Sequence, residues 1–113
     1  MLGIFVDPDV EQVKEAARIG AQYVEINTTE YSTLDLKNVK NGIIQIARVA
    51  KAARRDNIAV HAGHGLGYRN IQALLSVTEI SVFSIGFAIV ARAVFVGFRQ
   101  ATNEMVRVIK GVK

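Results

Sequence analysis

From Leu2 to Ile109 the chain alternates between short apolar runs rich in β-branched residues and segments whose apolar residues recur at helical spacing. Nothing else in the sequence restricts the fold so tightly. Strands separated by helices need crossover connections, and these build a parallel sheet with right-handed links. The first strand covers Leu2–Val6. Asp7 is a good helix cap after it, and Pro8 suits the first helical position. Val10, Val13 and Ala17 continue that helix toward a stop at Gly20. Tyr23–Asn27 reads as the second strand and Thr28–Thr33 as a polar loop. Leu36, Val39, Ile43, Ile46 and Ala50 form the stripe of a long helix capped by Thr33 or Asp35. A third strand, Ile58–Gly63, passes through the loop His64–Arg69 to a short helix at Asn70–Val77. The fourth strand, Ile80–Ile85, stops at Gly86, and helices are predicted over Phe87–Val96 and Phe98–Ile109.

The result is an α/β chain of four βα units forming a single unit over residues 1–113. Four such units suit an open flavodoxin-like sheet or half of a closed (β/α)₈ barrel, and periodicity does not separate the two. Both place ligands at the carboxyl ends of the strands.

Composition narrows the partners. Half the residues are hydrophobic, which excludes intrinsic disorder. The absence of cysteine removes disulfides and thiolate metal sites and fits a reducing, cytoplasmic setting. No secretion signal is visible at the amino terminus. The net charge of +4 falls entirely after Asp56, where only Glu79 and Glu104 oppose the basic side chains. Such an excess suits phosphorylated small molecules. Nucleic acid is disfavoured, because the Lys and Arg are dispersed singly without interleaved aromatics. Residues 80–98 approach the length of a membrane span, but Arg92 inside them would cost about 2.5–3.5 kcal/mol. A buried strand running into a helix is the expected reading, with Phe87, Val90, Val94 and Phe98 as core.

Chemistry is sought where strands end. Asp7 follows the first strand, with helix capping as its simplest role. In YVEIN, Tyr23, Glu25 and Asn27 share one face and Val24 and Ile26 the other. Glu25 either points into a barrel lumen, where it can position or protonate a substrate, or stands in water on an edge strand. In AVHAGHGLGY, three glycines surround His64 just past a strand. They let backbone N–H groups approach an anion closely. His64 is either an ordinary turn residue or a general acid or base working near neutral pH. The spacing matches neither a dinucleotide fingerprint nor a P-loop. His61 is expected to be a packed, hydrogen-bonded core residue, and Arg69 and Arg92 to have surface or packing roles. Gly86 before Phe87 offers a second strand-to-helix backbone site. His61 and His64 alone do not form a metal site, and no serine sits in a nucleophile-elbow context.

The segments IFVDPDVEQVKEAARIGAQYVEIN, VHAGHGLGYRNI and SIGFAIVARAVFVGF, in that order, resemble pyridoxine 5′-phosphate synthases over essentially the whole chain. The resemblance covers the carboxyl-terminal half of that family, from its fifth barrel strand onward. It implies half of a (β/α)₈ barrel that assembles into oligomers. It also implies condensation of 1-deoxy-D-xylulose 5-phosphate with 3-amino-2-oxopropyl phosphate, giving pyridoxine 5′-phosphate, inorganic phosphate and water, with no metal or organic cofactor. The family's acid/base histidine matches His64, and its transition-state-stabilising glutamate matches Glu25. Its phosphate-holding backbone matches Gly65, Gly86 and Phe87. Three departures stand out. Phe87 replaces a histidine, keeping an N–H but losing an imidazole. Asn27 and Thr29 replace the His and Gly of an H-T-G motif. The family's remaining catalytic and sugar-phosphate groups lie in the first half of its barrel, outside this sequence. Half a barrel exposes two strand edges and an apolar inner face, so a homo-oligomer or pairing with the other half is expected.

Overall fold

The structure, a computed structural model, describes residues 1–111. Strands β1 (Gly3–Val6), β2 (Tyr23–Asn27), β3 (Ala59–Gly63) and β4 (Ile80–Ser84) form one parallel sheet in the order β1-β2-β3-β4. That order excludes the open flavodoxin-like sheet, in which β1 would lie between β2 and β3. Here every crossover advances one strand in the same direction, so right-handed connections lay the helices on one face. This is the sequential winding of half a (β/α)₈ barrel.

Strand alternation sends Val6, Val24, Ile26, Val60 and Ala62 to the covered face. They meet Val13 and Ala16 of α1 (Val10–Arg18) and Ile46, Val49 and Ala50 of α3 (Val39–Arg55). Full burial of each branched side chain contributes roughly 1.5–3 kcal/mol. The opposite face carries Phe5, Tyr23, Glu25, His61 and Val82, with Phe5 still 55% exposed. The would-be lumen is therefore open.

One irregularity in β4 decides what faces that lumen. Val60 pairs with Ile80 but His61 pairs with Val82, so Ser81 is bulged out of the ladder. Strict alternation would put Ile80 and Ser84 on the same side. With the bulge, Ile80, Phe83 and Ile85 pack on the core while Val82 and Ser84 turn to the open face. Bulges of this kind re-aim side chains near functional sites.

Several boundaries differ from the sequence expectation. Asp9, not Asp7, caps α1, accepting the Glu11 N–H at 2.9 Å. The chain turns tightly at Pro8, where the Asp9 N–H meets the Asp7 carbonyl at 2.7 Å, and this delays the helix. The predicted loop at Thr28–Thr33 contains a short helix, α2 (Thr29–Thr33). Leu36 lies outside α3 and is exposed, because Asp35 closes a turn onto the Asn38 N–H at 3.1 Å before the helix begins. The helix expected at Asn70–Val77 shortens to α4 (Ile71–Leu74).

The largest correction concerns α5 (Phe87–Val96). Phe87, Val90, Val94 and Phe98 are not core: Phe87 is 90% exposed, and α5 contributes no buried side chain. This helix follows the edge strand β4 and packs against α6 (Phe98–Lys110), which buries Ala101 and Met105. An apolar sequence records that a surface should be covered, not by which chain. Residues 80–98 divide into β4 and α5 around Gly86, and among the described residues no helix is long and apolar enough to cross a membrane.

Candidate functional site

The carboxyl ends of β3 and β4 open into a cleft of about 1400 Å³. Glu25, His64, Gly65, Gly86 and Phe87, the five residues singled out from sequence, all line it.

Glu25 comes from the middle of β2 and faces the open side. Its Oε1 accepts a hydrogen bond from Ser84 Oγ, two strands away, at 2.5 Å. Gly63 lies between them on β3. A Cβ there would stand 2.9 Å from Ser84 Cβ and 3.1 Å from Glu25 Cδ, so only glycine leaves room for the two side chains to meet. The carboxylate is thus anchored by a hydroxyl on an otherwise open surface.

His64 has φ of 92°, a backbone state that side-chain-bearing residues seldom adopt and that costs about 1–3 kcal/mol. The imidazole is exposed, and its ring centroid lies 6.3 Å from that of Phe5 on β1. Because β2 runs between β1 and β3, the ring reaches across the strand that carries Glu25. Gly65 follows with φ of 77°, and a Cβ at that position would collide with the Ser32 side chain on α2. Conformation and space both demand glycine here.

The loop beyond is held by side chains. Asn70 receives the Gly67 N–H on its Oδ1 at 2.7 Å and donates from Nδ2 to the Gly65 carbonyl at 3.0 Å. The Tyr31 hydroxyl donates to the Asn70 carbonyl at 2.5 Å, and the Tyr68 hydroxyl to the Ala101 carbonyl at 2.8 Å. Burial pushes both phenols above their ordinary range, and Glu104 pushes Tyr68 further, so both remain protonated donors. The backbone N–H groups of Gly65 and Gly86, by contrast, donate to no other described residue. Gly86 also precedes the first turn of α5, where helical N–H groups lack internal partners. Two sets of free donors therefore border one cleft, a geometry suited to an anion.

Of the other residues singled out from sequence, most fall elsewhere. Asp7 is not a helix cap; its Oδ1 accepts from Asn27 Nδ2 at 3.2 Å, tying β1 to β2 at the sheet rim. Asn27 Oδ1 in turn accepts from the Thr29 N–H at 3.0 Å. His61 is no hydrogen-bonded core residue: it stacks on Tyr23 at 4.4 Å on the open face, half-buried. Its alternation partner in the sheet, Glu25, already signals that face. Arg69 lines the cleft, whereas Arg92 is taken up by Glu104 at 2.9 Å. Among the described residues, no group of three His, Cys, Asp or Glu could hold a metal ion. Sequence reasoning missed Ser84 and Thr28. The bulge hides the first from any count of alternation. The second stands directly after a polar strand end, which was the available signal.

A family profile described as "Pyridoxal phosphate biosynthesis protein PdxJ" matches residues 1–111. Among curated proteins the chain is similar to the pyridoxine 5′-phosphate synthase of Sulfurihydrogenibium sp. (strain YO3AOP1), with 38% identity over 96% of this chain and 44% of that protein. Against the Syntrophobacter fumaroxidans enzyme of the same name, identity is 39% over 97% of this chain and 47% of the relative. Against that of Magnetococcus marinus it is 40%, over 96% and 45%. The chain spans about half the length of the curated relatives it matches.

Proposed function

The chain belongs to the family described as pyridoxal phosphate biosynthesis protein PdxJ, and from that premise we propose that it acts as the carboxyl-terminal half-barrel of a pyridoxine 5′-phosphate synthase. Its substrates on this reading are 1-deoxy-D-xylulose 5-phosphate and 3-amino-2-oxopropyl phosphate, and its products pyridoxine 5′-phosphate, inorganic phosphate and water. The observation that carries the reading is the meeting of His64, Glu25 and two sets of free backbone donors around one cleft.

The roles follow from the chemistry. Joining an amine to a ketone and expelling water and phosphate requires protons to be delivered to leaving oxygens. His64 serves as that acid and base, because an imidazole changes charge near neutral pH. Glu25 stabilises positive charge developing on the condensing nitrogen, and Ser84 holds its carboxylate in place. The backbone of Gly65, Gly86 and Phe87 receives phosphate oxygens. Phe87 supplies an N–H without the imidazole of the family pattern.

Turnover needs the rest of the barrel. In water, hydrogen bonds and charges stabilise a transition state far less than in a closed, dry site, and here Phe5 and His64 face solvent. The open sheet face, both strand edges and α5 are the surfaces that the remaining half, or a second copy, would cover. A rival reading, a phosphate-binding or oligomer-forming module without turnover, draws on the Phe87 substitution.

Mixing the chain with the amino-terminal half of a relative and assaying pyridoxine 5′-phosphate formation separates them. Activity that His64→Ala lowers by about 10²–10⁴-fold without changing assembly mass supports the enzyme. A correctly assembled but inert complex supports the rival.

A further inference from the structure

Thr28 is the only polar side chain among the described residues that is fully buried. Its place explains why. Its backbone N–H donates to the Gly63 carbonyl at 3.0 Å, carrying the β2–β3 ladder one step past the last strand pair. Its Oγ1 lies 2.8 Å from that same carbonyl and 2.7 Å from the carbonyl of His64. A hydroxyl has one proton, so it serves both carbonyls as a shared donor. The Thr28 hydroxyl thus ties down the carbonyl of the residue whose φ reaches 92°. The other side of Thr28 is tied down as well. Its carbonyl accepts the Ser32 N–H at 2.9 Å, and Ser32 packs directly on Gly65.

We propose that Thr28 is a positioning residue: its hydroxyl holds His64 in the positive-φ state and so presents the Gly65 N–H to a phosphate in the cleft. It touches no substrate and acts through the turn. The phosphate part rests on the reading above, whereas the His64 conformation does not.

The test uses the full chain, isotope-labelled, as wild type, Thr28→Ser and Thr28→Val. Backbone couplings and carbon shifts report φ at His64. Wild type and Thr28→Ser should show the positive-φ signature and Thr28→Val should lose it, with helix content unchanged in all three. Retention in Thr28→Val overturns the proposal. Titration with inorganic phosphate should shift the Gly65 and Gly86 amides in wild type and Thr28→Ser. In Thr28→Val, affinity read at Gly65 should fall about tenfold, the loss of one hydrogen bond. A wild type blind to phosphate rejects the phosphate reading and leaves the His64 coupling to judge Thr28. Equal affinity in all three proteins removes Thr28 from phosphate presentation. If Thr28→Val does not fold, the wild-type hydroxyl proton decides: slow exchange with a contact to His64 supports the proposal, and rapid exchange overturns it.

Discussion

Ser84 and Glu25 meet at 2.5 Å across the full width of β3, and they do so because Gly63 leaves the space between them empty. Neither partner is deeply buried, so the bond adds little to stability. Its consequence is orientation of the only carboxylate that lines the cleft among the described residues.

Removing the hydroxyl should therefore separate fold from rate. In a completed barrel, Ser84→Ala is expected to lower kcat about tenfold with thermal stability nearly unchanged. Glu25→Gln should lower it about 10²–10³-fold. Steady-state kinetics beside thermal melts check both; equal rates for Ser84→Ala and the parent would free Glu25 from its anchor.

The strain at His64 leads to the opposite signature. Glycine adopts φ of 92° without penalty, so His64→Gly should raise unfolding stability by about 1 kcal/mol. The same change removes the proposed acid and base. Denaturant unfolding checks it, and a destabilised variant would show that the imidazole makes contacts worth more than the strain.

Gly65 should tolerate nothing larger. Gly65→Ala meets both a positive φ and the Ser32 side chain, so a stability loss of about 1–3 kcal/mol is expected, together with loss of phosphate-induced amide shifts. Pairing it with Ser32→Gly should recover part of the stability but leave the backbone cost, which a double-mutant cycle measures.

Acid should loosen the α5–α6 pair. Hydrogen bonds from Arg92 hold the Glu104 carboxyl below its ordinary value, with Gln100 assisting. A carboxyl lowered in the folded state contributes stability above its unfolded pKa and loses it as pH falls through the lower, folded value. Hydrogen-exchange protection of α5 should decline across that acidic window. Arg92→Met should flatten the decline while leaving the β-sheet amides unaffected.

Packing on the helix-covered face should dominate overall stability. Ile26 is fully buried against that layer, and Ile26→Ala is expected to cost about 2–5 kcal/mol by chemical denaturation.

Much of this protein was legible along the chain because the information is local. YVEIN has its own alternation, so β2 and the outward direction of Glu25 could be read without knowing any neighbour. Glycines around His64 signalled a backbone-rich turn at a strand end for the same reason. Tertiary structure decided what depends on residues far apart in sequence. The strand order separated a half-barrel from an open sheet, since periodicity is identical in both. The Ser81 bulge turned Ser84 toward Glu25, and the register of β3 placed Gly63 between them. The apolar surface of α5 read as core because hydrophobicity records only that water should be excluded; the sheet ends at β4, and among the described residues α5 packs against α6 without burying any of its own side chains.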